Sequence, residues 1–221
     1  MSSADSLAGA TYLVIGGSGR TGRLVVASLL ERGAGVTVAG RRPHNVPSGA
    51  DSAVVDLSDG FTPAQLAGYA GVVVSVEPPT DDRGSEAVMH RGVAAVGDAA
   101  AATGAHVVLV SQIYITRADE YPAMAGIITA RARGEEALRT SGARYTIVRP
   151  GWLTSGPAAG VRLEQGDTGD GQTSRASVAA AAVAALGSAE ATGKTFEIYD
   201  AHGGLPDWGK EFATLVADAK A

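Results

Sequence analysis

The chain has 221 residues, 45% hydrophobic and 19% charged, with a formal net charge of −5. That is enough apolar sequence for one globular domain with a full core, which excludes disordered and collagen-like classes, while the acidic balance without any basic run argues against nucleic acid as a partner. Cys is 0, so disulfides, thiolate metal sites and cysteine nucleophiles are excluded.

The opening MSSADSLAGA has neither a basic stretch nor an apolar one, and no later apolar run is long enough to span a bilayer. A cytoplasmic protein without a membrane partner is expected. Thr11–Ile15 is a β-branched and apolar run, followed by Gly-Gly-Ser-Gly and an apolar helical pattern from Leu24 to Leu30. Strands are then expected at Gly35–Ala39, Ala53–Val55 and Gly71–Val76, with a short helix at Pro63–Tyr69. Gly84–Thr103 reads as one long helix, and His106–Ser111 as a strand buried on both faces because its VVLV run is continuous. A helix from about Ala123 to Thr140 ends at Ser141-Gly142, and Tyr145–Val148 is the next strand. Gly151 to Thr173 is rich in Gly, Asp and Pro and reads as an irregular substrate-side segment, with room for a short strand. A helix at Ser177–Leu186, a strand at Thr195–Tyr199 and a terminal helix at Trp208–Ala219 complete the chain. This βα alternation predicts a doubly wound parallel sheet of the Rossmann type in a single domain over residues 1–221.

Gly16, Gly19 and Gly22 form G-x-x-G-x-x-G after a predicted strand and at the mouth of a predicted helix. Glycines there permit a tight turn and a close approach of backbone to ligand, and the helix N-terminus suits a pyrophosphate. Ser18, Arg20 and Thr21 add donors beside it. The second strand ends Ala39-Gly40-Arg41-Arg42, where an NAD-specific site would carry an acidic residue. Paired guanidiniums match phosphate oxygens, so Arg41 and Arg42 favour NADP(H) by holding a 2′-phosphate. Asp56, with Leu57 beside it at the end of the third strand, either accepts from the adenine amino group or initiates a turn.

The ordered set VIGGSGRTGR (Val14–Arg23), Arg41-Arg42-Pro43, VVLVS (Val107–Ser111), GEEALRTSGARYTIVRPGWL (Gly134–Leu153), SRASVAAAAVAAL (Ser174–Leu186) and TGKTFEI (Thr192–Ile198) resembles the atypical short-chain dehydrogenase/reductases. These are single-domain NAD(P)H-binding proteins that include flavin or biliverdin reductases and NmrA-like proteins. The resemblance implies that Ser75 and Val76 flank the adenosine ribose and that Val110 and Ser111 lie near the nicotinamide. It also implies that the backbone of Pro150, Gly151, Trp152 and Leu153 meets the carboxamide. The tyrosine–lysine pair of the larger family is absent, since Ile127 stands at the tyrosine position and Arg131 at the lysine position. Arginine keeps the charge and can reach the ribose, but isoleucine donates no proton. Ser177 stands where the related R-x-D pattern would pair an aspartate with Arg175.

Candidates for the chemistry follow from position. Ser111 ends a predicted central strand and either faces the crevice or caps backbone. Tyr114 and Tyr121, on the loop that follows, could supply the missing phenol or pack as aromatics. Glu77 directly follows the fourth strand and is stiffened by Pro78-Pro79, so it is either a base or a solvated charge. The histidines show no metal-ligand spacing, and Arg20 replaces the glycine that a nucleophile elbow requires. The expected function is NADPH-dependent reduction of a small apolar carbonyl, quinone or flavin-like substrate by a monomer or homodimer. Two alternatives stay open: redox-neutral epimerase, isomerase, cyclase or dehydratase chemistry of secondary metabolism, and a non-catalytic NADP-sensing regulator.

Overall fold

The computed structural model describes residues 7–219. Its eight-stranded sheet is built from β1 (Thr11–Ile15), β2 (Gly35–Gly40), β3 (Ala50–Val54), β4 (Gly71–Val74), β5 (His106–Val110), β6 (Arg144–Pro150), β8 (Gly160–Glu164) and β10 (Lys194–Ala201). The spatial order is β3-β2-β1-β4-β5-β6-β10-β8. Every neighbouring pair is parallel except β10 with β8, so the fold is a Rossmann-like single domain with one reversed edge strand. A second small sheet pairs β7 (Trp152–Thr154) with β9 (Gln172–Ser174).

Burial follows from the two-residue period of a strand. Tyr12 and Val14 enter one apolar cluster with Val25, Val26 and Leu29 of helix α1 (Gly22–Glu31). The same cluster holds Val178, Ala182 and Val183 of helix α5 (Arg175–Leu186), where small side chains let helix and sheet approach. Leu13 and Ile15 enter a second cluster on the opposite face. Its partners are Val93, Val96 and Ala100 of α3 (Val93–Thr103) and Leu138 of α4 (Ala125–Thr140). β4 and β5 are buried along their whole lengths, as their unbroken valine-rich runs require.

Several elements differ from the sequence-based expectation. Pro63–Gln65 is a single 3₁₀ turn, with Thr62 and Gln65 bonding to each other at its start. The expected helix Gly84–Thr103 is three joined pieces: α2 (Asp82–Ser85), a π-helical stretch Glu86–Gly92, and α3. The terminal helix, α6, stops at Ala213 rather than Ala219. Residues 151–173 are not irregular, because they carry β7, β8 and most of β9. The signal for β8 is weak because it is a short edge strand, in which Val161 and Leu163 alternate with Arg162 and Glu164 over only four residues. Among the described residues no helix is long and apolar enough to cross a membrane.

Candidate functional site

From β1 the chain winds one way to β2 and β3 and then the other way to β4 and β5, which opens a crevice beyond the strand ends. The crevice is a cleft of about 1140 Å³. Its floor is the glycine turn. Gly16 has φ +85°, and a Cβ there would collide with the Ser75 carbonyl; one at Gly22 would collide with the Gly16 carbonyl. Glycine at both positions therefore lets the turn fold tightly against the end of β4. α1 starts at this turn with no side-chain cap and no acidic residue in its first turn, so its positive end meets the cleft unneutralised.

Ser18, Gly19, Arg20 and Thr21 line the cleft, as do Arg41, Arg42, Asp56, Leu57, Ser75, Val76 and Glu77. Ser18 pins the loop after β2: its Oγ donates to the His44 carbonyl at 2.9 Å and accepts from the His44 amide at 3.0 Å. That leaves Arg41 and Arg42 exposed on a held loop beside the turn. Asp56 accepts from the amide and the hydroxyl of Ser58, at 3.0 and 2.7 Å, and so initiates the 3₁₀ turn Leu57–Asp59. Those Ser58 bonds, with Arg41 nearby, hold its carboxyl below the usual range. Glu77 reaches across the mouth of the cleft to Arg20, 3.1 Å away, with both side chains largely exposed.

At the inner end, Ser111 and Arg131 line the cleft together with Val110. Ser111 is 5% exposed, and its amide donates to the Val148 carbonyl at 2.8 Å. Its Oγ has no partner among the described residues, so the hydroxyl does not serve as a backbone cap. Arg131, carried in from α4, is 9% exposed and makes one long bond of 3.4 Å to the Val110 carbonyl. Its Nε also lacks a partner among the described residues. Burial pulls its pKa down to about 10 against the opposing pull of Glu135 and Glu77, so the group stays cationic at neutral pH. Two residues that line one cavity thus each carry a buried polar atom without a partner among the described residues, the kind of group a polar ligand would satisfy. Together with the uncapped helix end, they fit the sugar, phosphate and amide groups of a dinucleotide.

The two tyrosines lie elsewhere. Tyr114 is buried, with φ +71°, and does not line the cleft. Its hydroxyl donates to Asp170 at 2.6 Å and accepts from the Trp152 indole at 3.0 Å. Burial and the Asp170 carboxylate both raise its pKa, so the phenol is a poor acid as placed. Tyr121 stacks on it, with centroids 4.3 Å apart, and is also absent from the cleft wall. Pro150, Gly151 and Trp152 likewise lie off the lining, and the Gly151 amide is spent on the Ile198 carbonyl and Thr173. Only Leu153 of that run reaches the cleft.

Two contributors were not proposed from the sequence. Asp167 is 1% exposed, and its carboxylate accepts from the amides of Tyr114 and Thr116 and from the Thr116 hydroxyl, which fixes the loop after β5. An aspartate in a Gly-rich stretch carries no pattern that would announce this. Arg175, at the start of α5, lines the cleft, and its missing aspartate partner was the available signal.

The sequence profile of an NAD(P)H-binding family matches residues 16–189. A Bacillus halodurans protein named for NAD-dependent epimerase/dehydratase activity superposes with a TM-score of 0.80 at 25% identity, over 94% of this chain and 100% of that one. A Veillonella parvula short-chain dehydrogenase/reductase in complex with NADP superposes with a TM-score of 0.69 at 17% identity, over 90% and 99%. ChuY, an anaerobillin reductase from Escherichia coli O157:H7, gives 0.66 at 20% identity, over 86% and 97%. No curated protein matches the sequence.

Proposed function

The chain belongs to the NAD(P)H-binding family, and from that premise we propose that it is an NADPH-dependent oxidoreductase reducing a small carbonyl, quinone or flavin-like acceptor. The observation that carries this reading is the pair of unpartnered buried atoms, Ser111 Oγ and Arg131 Nε, at the inner end of the cleft headed by the glycine turn. When bound, the nicotinamide cofactor supplies a hydride. The glycine turn and the uncapped start of α1 hold the pyrophosphate, Arg41 and Arg42 the 2′-phosphate, and Arg131 the ribose hydroxyls. Ser111, whose hydroxyl has no partner among the described residues, would hold the nicotinamide end or the acceptor by donating its O–H. Tyr114 and Tyr121 take no part in proton transfer and instead shape the loop that carries Ser111. The proton comes from water, which the open cleft admits.

Calorimetric titration with NADPH and NADH tests the cofactor assignment. NADPH binds in the micromolar range and NADH far more weakly, and Arg41→Ala with Arg42→Ala removes most of that difference. An equal loss of both nucleotides in the double variant would sink the 2′-phosphate assignment. A second reading, redox-neutral acid–base chemistry, draws on Glu77, a carboxylate in the cleft wall. Glu77→Gln abolishing turnover with no net oxidation of NADPH at 340 nm would favour it.

A further inference from the structure

Of the arginines that line the cleft among the described residues, Arg175 has neither a place in the cofactor assignment nor the carboxylate partner that Arg20 has. Arg175 is half-buried at the start of α5, and one nitrogen, Nη1, makes all of its hydrogen bonds among the described residues. These run to the Thr154 carbonyl at 2.9 Å, the Leu153 carbonyl at 3.4 Å and the Ser155 hydroxyl at 3.5 Å. The guanidinium is thereby held through Nη1, while Nε and Nη2 make no hydrogen bond to the described residues. No carboxylate of the described residues pairs with it, because position 177 holds a serine whose hydroxyl is turned to Ser174. The nearby acid, Glu77, already pairs with Arg20.

A side-on Nε/Nη2 edge presents two parallel N–H donors at the spacing of carboxylate oxygens. Leu153, whose carbonyl helps hold Arg175, is itself an apolar side chain in the cleft wall. Ser111, whose Oγ has no partner among the described residues, lines the same cavity. Resting on the oxidoreductase reading for the identity of the reacting end, we propose that Arg175 is a substrate-binding residue that takes the carboxylate of an otherwise apolar acceptor. The acceptor is a planar carbonyl or quinone compound bearing an acid group, with its ring against Leu153.

The probes are anthraquinone-2-carboxylate and anthraquinone-2-carboxamide, which share a ring and differ in charge. Titrated calorimetrically into the wild-type protein saturated with NADP⁺, the carboxylate binds about tenfold or more tightly than the amide. Arg175→Gln erases the preference, and Arg175→Lys, which keeps the charge but loses the fork, restores part of it. The affinity of Arg175→Gln for NADPH stays near the wild-type value. Equal binding of the two probes by the wild-type protein overturns the proposal, and that result does not depend on any variant folding. It is also overturned if the preference survives in Arg175→Gln, or if that variant loses NADPH, which would make Arg175 a cofactor ligand. Should the wild-type protein bind no NADPH, the oxidoreductase reading falls by itself. The carboxylate preference measured without cofactor then decides the role of Arg175 by the same criterion.

Discussion

At the first position of β5, His106 is 1% exposed, and its Nε2 lies 3.0 Å from the Thr146 hydroxyl, which donates onward to the Ala191 carbonyl. Burial, with help from Arg144, holds its pKa down to about 4, against 6.5 for a free imidazole. The unfolded chain therefore binds a proton between those values that the native protein refuses, and stability falls as pH is lowered through that window. The loss is at most about 3 kcal/mol. Thermal melting at pH 7 and pH 4.5 will show it, with a smaller drop in His106→Phe than in the wild type. The continuous apolar run after His106 implies a strand buried on both faces, but not the Thr146 hydroxyl that meets the imidazole, 40 residues away. The glycines at 16 and 22 are the opposite case, because their spacing after an apolar run implies the turn that the collisions at those positions require.

Between elements, the dominant polar contact is made by Arg149 of β6. Its guanidinium meets Glu135 of α4 at 2.6 Å and Glu197 of β10 at 3.0 Å, with all three side chains buried. Arg139 adds a bond to Glu135 at 2.8 Å and to Asp218 at 3.3 Å. Arg149→Met leaves the buried Glu197 without its cation and Glu135 with Arg139 alone, and costs about 3–5 kcal/mol in chemical denaturation. A loss below about 1 kcal/mol would show that Arg139 takes over the pairing. The buried strands and the amphipathic stripe of α1 were legible in the sequence because hydrophobic period reports burial directly. β8 and the Tyr114–Asp170–Trp152 contact were not, because they depend on partners tens of residues away: Val161 opposite Asp200, and Asp170 under the Tyr114 phenol. That distance is also why the sequence left Tyr114 open between proton donor and packed aromatic, and why the family resemblance put the Pro150–Leu153 backbone at the cofactor. The chain does pass its rim there, but the side chains and amides turn to one another.

Across the whole molecule, the cleft sits where the winding of the sheet reverses, so a ligand there touches the ends of β1, β2, β4 and β5 at once. A ligand that binds only the native state stabilises all of these strands together. NADPH at a hundred times its dissociation constant adds about 2.7 kcal/mol, which for a chain of this size raises the melting temperature by about 5–11 °C. NADH at the same concentration will raise it less, and equal shifts in a thermal melt would contradict the role given to Arg41 and Arg42. The positions of the sheet and cleft follow from the βα alternation. The identity of the acceptor depends on the few side chains at the inner end.

The π-helical stretch Glu86–Gly92 holds one residue more per turn than an α-helix would. It sets Val88 into the cleft wall, brings Gly92 so close to Leu57 that a Cβ would lie 2.7 Å from the Leu57 Cβ, and packs Met89 against Gly134. Losing one residue here would return the stretch to α-helical pitch and swing everything on one side of it by about 100° around the axis. Val88 and these close contacts could not then all be kept. A change of length within this helix is thus costly, because it breaks contacts on both sides of the inserted or deleted residue. Gaps between this chain and its relatives should spare these seven residues.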